Sequence, residues 1–126
     1  MRVLLGLSAA SGFSAVALGA FGAHALRERF EAVPDGARRL EWWHTAASYH
    51  LAHALALGIA ALLFERAASN ALAVAGWAFF AGIALFSGSL YAMALSGARA
   101  LGMVTPFGGL AFLIGWASLL WAALET

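Results

Sequence analysis

The stretch TAASYHLAHALALGIAALLF, residues 45–64, runs for 20 positions without an acid, a lysine or an arginine. A bilayer core about 30 Å thick takes roughly 20 apolar residues of helix to cross, so this stretch is long enough to span. It has to be helical, because lipid offers no hydrogen-bond partner to a free backbone amide. Three further windows qualify on either side of it: VLLGLSAASGFSAVALGAFGAHAL (3–26), ALAVAGWAFFAGIALFSGSLYAMAL (71–95) and FGGLAFLIGWASLLWAAL (107–124). The expected fold is therefore all-α, an integral membrane bundle of four transmembrane helices. A short amphipathic segment is expected between helices 1 and 2, and residues 1–126 form a single transmembrane domain.

Composition agrees. Apolar residues make up 63% of the chain and charged ones 10%, with a mean hydropathy of +0.86, whereas a soluble domain carries roughly 25% charged residues. The absence of cysteine excludes disulfides, thiolate metal sites and cysteine nucleophiles. A net charge of +1 is too small to suggest a nucleic-acid partner. Ala23-His24-Ala25 after an apolar run has the look of a signal-peptide cleavage site. That run is longer than the roughly 7–15 residues of a secretory apolar region, so a span is expected instead.

The links are short except the first, RERFEAVPDGARRLEWWH (27–44), where Pro34-Asp35-Gly36 is a turn signal. After that turn the chain is expected to run helically into span two, with Trp42 and Trp43 as anchors at headgroup depth. Short links make successive helices antiparallel neighbours. The links after spans one and three carry Arg27, Arg29, Arg38, Arg39 and Arg99, while the opposite side carries Arg2 and Arg66. Excess arginine marks the cytoplasmic side, which places both termini in the periplasm or otherwise outside the cytoplasm. In span one, Ser8, Gly12, Ala15, Gly19 and Gly22 recur at spacings of four, three, four and three. Small residues on one helix face let backbones approach closely in lipid, so helix 1 is expected to pack tightly on a neighbour.

Antiparallel order gathers the polar side chains of the spans at one membrane face: His24, Tyr49, His50, His53, Ser87, Ser89, Tyr91 and Thr105. His50 and His53 lie roughly 8 and 12 Å below the start of span two, and the serines of span three lie at similar depth. Three residues apart, the two histidines are expected on one helical face. Polar groups at that depth pair with one another or line a cavity. In the structural reading, imidazoles and hydroxyls hydrogen-bond across helices and fix their register. In the functional one, the same cluster binds a ligand such as a quinone or lipid headgroup, or His24, His50 and His53 hold a metal or haem. No intramembrane carboxylate stands ready to orient an imidazole, so no metal and no cofactor is expected, and the three-histidine site is the alternative.

Catalysis has little support: the spans hold no acid or base other than histidine, no Gly-x-Ser-x-Gly elbow and no phosphate loop. The expectation is a non-enzymatic protein, either an accessory subunit or a binder of an apolar ligand (lipid or quinone). The alternative is a metal- or haem-binding redox or transport protein using the histidines. Expected partners are membrane lipids and a larger membrane complex or a homo-oligomer.

Four motifs, LGAFGAHAL (18–26), YHLAHALAL (49–57), LFSGSLYAMAL (85–95) and TPFGGLAFLIGW (105–116), together resemble the YgdD-like family of small bacterial inner-membrane proteins of unknown function. The resemblance covers nearly the whole chain. It implies a four-helix multi-pass protein of the bacterial inner membrane and carries no catalytic residues with it.

Overall fold

The computed structural model describes residues 2–125. Four helices account for nearly all of them: α1 (Arg2–Phe30), α2 (Gly36–Arg66), α3 (Asn70–Ser96) and α4 (Arg99–Leu124). Each is long and apolar enough to cross a membrane, and each contains one of the four windows read from the sequence. The charged segment between spans one and two is divided between the helices. Its first part extends α1 and its second opens α2, leaving residues 31–35 as the link.

Local chemistry sets the helix ends. The Ser69 hydroxyl accepts from the Leu72 amide at 3.1 Å and starts α3, satisfying one of the orphan amides of a first turn. Gly97, at φ +74°, ends it with its own amide bonded to the Met93 carbonyl at 2.8 Å, the left-handed position that glycine alone takes without cost. α4 opens with a 3-10 turn, Arg99–Met103, before Pro106 enters the first α-helical turn, where its missing amide is no loss. Two helices contain a widened π-helical turn: Gly22–Leu26 in α1 and Ile83–Ser87 in α3.

The helices do not form a closed square. In the most apolar stretches of α2 and α3, 44% and 39% of residues are buried, against 17% in α1 and in α4, so α2 and α3 are the centre. α1 packs on α2 and α4 on α3, while α1 and α4 do not pack against each other among the described residues. Apolar burial drives little between helices in lipid, so close backbone approach and shape must hold them. The small face of α1 does this as expected. Ala15 is buried, the Ser8 hydroxyl donates to the Ala54 carbonyl at 2.8 Å, and Gly22 lies against Trp43.

That contact corrects the reading of Trp43 as an interfacial anchor. The side chain is 2% exposed, and its indole N–H donates to the Leu18 carbonyl at 2.7 Å. Gly22 has no side chain to occupy the space, and a buried indole needs an acceptor. Both conditions are met inside the bundle, so the ring turns inward.

On the other side, α3 and α4 meet glycine against ring or backbone: Gly108 against Phe86, Gly82 against Phe112 and Gly115 against Phe79. α2 and α4 stand further apart, and rings fill the gap between them. Leu4, Leu57, Phe79, Ile83 and Phe112 are among the buried side chains of the central core.

Candidate functional site

The polar side chains expected to share one layer are divided by the structure among several seams. His50 faces the α1 and α3 side. Its Nδ1 is 3.0 Å from the Tyr91 hydroxyl and its Nε2 is 3.3 Å from the Ser14 hydroxyl, so the imidazole joins three helices. Ser14 also lies 2.9 Å from the Ala10 carbonyl. With its one proton committed to that carbonyl, Ser14 accepts from His50 Nε2–H, which leaves Nδ1 to accept from the Tyr91 hydroxyl and selects one neutral tautomer.

His53 faces the α4 side. Its Nδ1 is 2.8 Å from the Tyr49 carbonyl and its Nε2 is 3.1 Å from the indole nitrogen of Trp116. A carbonyl only accepts and an indole N–H only donates. The pair therefore fixes one neutral tautomer, with the proton on Nδ1 donated to the carbonyl and the Nε2 lone pair taken by Trp116. The ring lies flat on Phe112, centroids 3.6 Å apart and planes 13° apart. His50 and His53 thus project into different seams of α2. Three residues leave about 60° between side chains on a helix with 3.6 residues per turn, enough to cross from one neighbour to the next.

The remaining hydroxyls bind helix to helix. Ser87, fully buried, donates to the Ala46 carbonyl at 2.8 Å. Ser89 donates to the Phe86 carbonyl at 3.0 Å and lies 2.6 Å from the Thr105 hydroxyl. With its one proton committed, Ser89 accepts from Thr105 and ties α3 to α4. His24 is placed elsewhere: it is exposed on the outer side of α1, apart from the cluster of Tyr49, His50 and His53 in which the sequence reading groups it. Gly22 lies on the packing face, and two residues further on, within the widened turn, the side chain points to roughly the opposite side of the helix. No group of three metal-ligating side chains comes together among the described residues, and His53 has no free nitrogen lone pair, so the residues present do not fit the alternative site of His24, His50 and His53.

Beside His53 the structure opens a groove of about 650 Å³ between α2 and α4. Tyr49, His53, Phe86, Leu110, Phe112 and Trp116 are among its walls. The Tyr49 ring is tilted against Phe86, centroids 4.6 Å and planes 45° apart, and the residue is 45% exposed. Its hydroxyl has no hydrogen-bond partner among the described residues. Phe86 comes from the π-helical turn of α3, and such turns often mark functional positions.

Three partners were not anticipated from the sequence: Ser14, Trp116 as a donor to His53, and Arg39. Arg39 donates from Nε to the Ala94 carbonyl and from Nη2 to the Leu95 carbonyl, both at 2.6 Å, and its guanidinium lies 5.0 Å over the Phe30 ring. It caps the last carbonyls of α3, which a helix cannot satisfy by itself. The signal for Trp116 was available, since an indole N–H in lipid needs an acceptor.

Residues 18–109 match the family model described as "Protein of unknown function (DUF423)". The chain belongs to the DUF423 family. Members similar over nearly the whole length include the UPF0382 membrane protein YwdK of Bacillus subtilis, 43% identical over 99% of this chain and 98% of the relative. The UPF0382 inner membrane protein YgdD of Escherichia coli K12 is 42% identical over 98% of this chain and 91% of its own. No solved structure matches this DUF423 chain. The family match covers the Tyr49, His50 and His53 stretch and the Ser87 to Thr105 stretch, and it stops before Phe112 and Trp116.

Proposed function

We propose that this DUF423 protein acts by binding, without catalysis, and that it holds an apolar molecule of the bilayer, a lipid or a quinone, in the groove between α2 and α4. The observation that carries the reading is the Tyr49 hydroxyl. It belongs to a groove-lining side chain on a membrane-spanning helix, where polar groups normally pair, yet it has no protein partner among the described residues. The buried polar side chains around it all have partners. A ligand carbonyl would accept from this hydroxyl while its ring or chain lies against Phe86, Leu110 and Phe112.

The protein is placed in the inner membrane, like the Escherichia coli relative, which is named an inner membrane protein. Both termini are assigned to the extracytoplasmic side, because Arg27, Arg29, Arg38, Arg39 and Arg99 gather at the other one. Lipids are its immediate partners. An accessory-subunit or homo-oligomeric role has only bare flanks behind it, such as Phe13 at 80% and Trp121 at 64% exposure, and lipid covers such flanks equally well.

The test is native mass spectrometry of protein extracted from its own membrane in mild detergent, parent beside Tyr49→Phe. The parent is expected to carry a lipid or quinone adduct that the variant loses several-fold. An equal adduct on both would overturn the assignment of the ligand to this groove.

A further inference from the structure

At the opposite end of the α2–α4 gap lies a second groove, of about 590 Å³. Its walls include Ile59 and Leu63 of α2, Leu72 of α3 and Leu119 of α4, and Arg66 and Glu125 also line it. Arg66 is the last residue of α2, Asn70 begins α3 and α4 ends at Leu124, so both charged side chains stand where the spans end. That is headgroup depth.

The two charges form no ion pair with each other. Arg66 and Glu125 line one groove, yet the ion pair found among the described residues is Arg39 with Asp35, and both Arg66 and Glu125 are exposed. Opposite charges that line the mouth of one apolar groove without pairing to each other are complementary to a headgroup that carries both signs. We propose that this groove binds a zwitterionic phospholipid with a primary ammonium, of the phosphatidylethanolamine type. Its phosphate meets Arg66, its ammonium meets Glu125, and an acyl chain runs down between Ile59, Leu63 and Leu119. Ser69, also on the wall, accepts from the Leu72 amide and so keeps its own proton to donate to a phosphate oxygen.

Charge selects among lipids here. A purely anionic headgroup satisfies Arg66 but sets its phosphate beside Glu125, with Glu65 adjacent to Arg66 in the chain. A choline headgroup has no N–H to donate to the carboxylate, whereas an ammonium has three. The site is distinct from the aromatic groove and does not depend on what that groove holds.

The experiment is a lipid titration of the full chain followed by native mass spectrometry, using phosphatidylethanolamine, phosphatidylcholine and phosphatidylglycerol with the same acyl chains. The parent is expected to retain the ethanolamine lipid about fivefold better than either of the others, the size of a favourable exposed ion pair. Arg66→Gln should lower retention of both phosphatidylethanolamine and phosphatidylglycerol. Glu125→Gln should lower phosphatidylethanolamine and leave or raise phosphatidylglycerol, inverting their ratio. Both side chains are exposed, so neither variant threatens the fold. Equal retention of the three lipids, preference of the parent for phosphatidylglycerol or phosphatidylcholine, or a Glu125→Gln variant with an unchanged ratio would each overturn the proposal.

Discussion

Replacing Gly108 by alanine tests the way α3 and α4 are joined. A Cβ at this position falls on the backbone N and Cα of Phe86. Backbone cannot rotate aside as a side chain can, so the helices must separate or shift. Overpacking costs about 1–3 kcal/mol, while the change from glycine to alanine inside a helix returns about 0.5–1 kcal/mol. The net is a loss of up to about 2.5 kcal/mol, centred near 1 kcal/mol, which is a roughly fivefold smaller ratio of folded to unfolded protein at the centre. Gly88 is the matched control: it lies in α3, and a Cβ there meets nothing within 4 Å. Gly88→Ala should gain up to about 1 kcal/mol from propensity alone. Reversible unfolding in mixed micelles of mild detergent and dodecyl sulfate, followed by circular dichroism, reads both. If Gly108→Ala proves as stable as Gly88→Ala, the α3–α4 backbone contact is wrong.

Four other perturbations separate the contacts described above. Trp116→Phe keeps a ring but removes the donor to His53, and should cost about 0.6 to 1.7 kcal/mol, the range for hydrogen bonds between membrane helices. A double-mutant cycle with His53→Ala that shows no coupling would refute this bond. Arg39→Ala should destabilise by about 1.5–3 kcal/mol, the value of hydrogen bonds to a charged group, and Arg39→Lys should recover little of it because one ammonium cannot copy the guanidinium fork. An unchanged unfolding midpoint in both would remove the cap on α3. His24→Ala should stay within about 0.5 kcal/mol of the parent, as exposed positions do; a larger loss would place that imidazole inside the bundle. Added zinc should leave the unfolding midpoint where it is, since both nitrogens of His53 are engaged, and a rise of several degrees would contradict that pairing.

The sequence carried the helices well and the contacts between them unevenly. All four windows lie inside helices, because the length and apolarity of a span are local properties set by the bilayer. The small face of α1 was legible for the same reason. His24 was misplaced although its own helix held the answer: the positions that fix the packing face, Ala15 and Gly22, put it on the other side. The division between His50 and His53 was not legible, since a 60° difference becomes two sites only once the neighbouring helices are positioned. Trp43 depended on a glycine 21 positions earlier in the chain, and Arg39 on carbonyls at the far end of the next helix. Such pairings are tertiary, and periodicity within one segment does not encode them.

The two borders of α4 differ in mechanical character. Along α3, glycines bring backbone to within van der Waals reach; toward α2, the connection is made of rings, one indole hydrogen bond and a groove at each end of the gap. Lateral compression in the acyl region would meet a stiff line on one side and a compliant one on the other. Helix α4 would then turn about its glycine border as a door turns about its hinge post, and the width of both grooves would follow the pressure of the surrounding lipid.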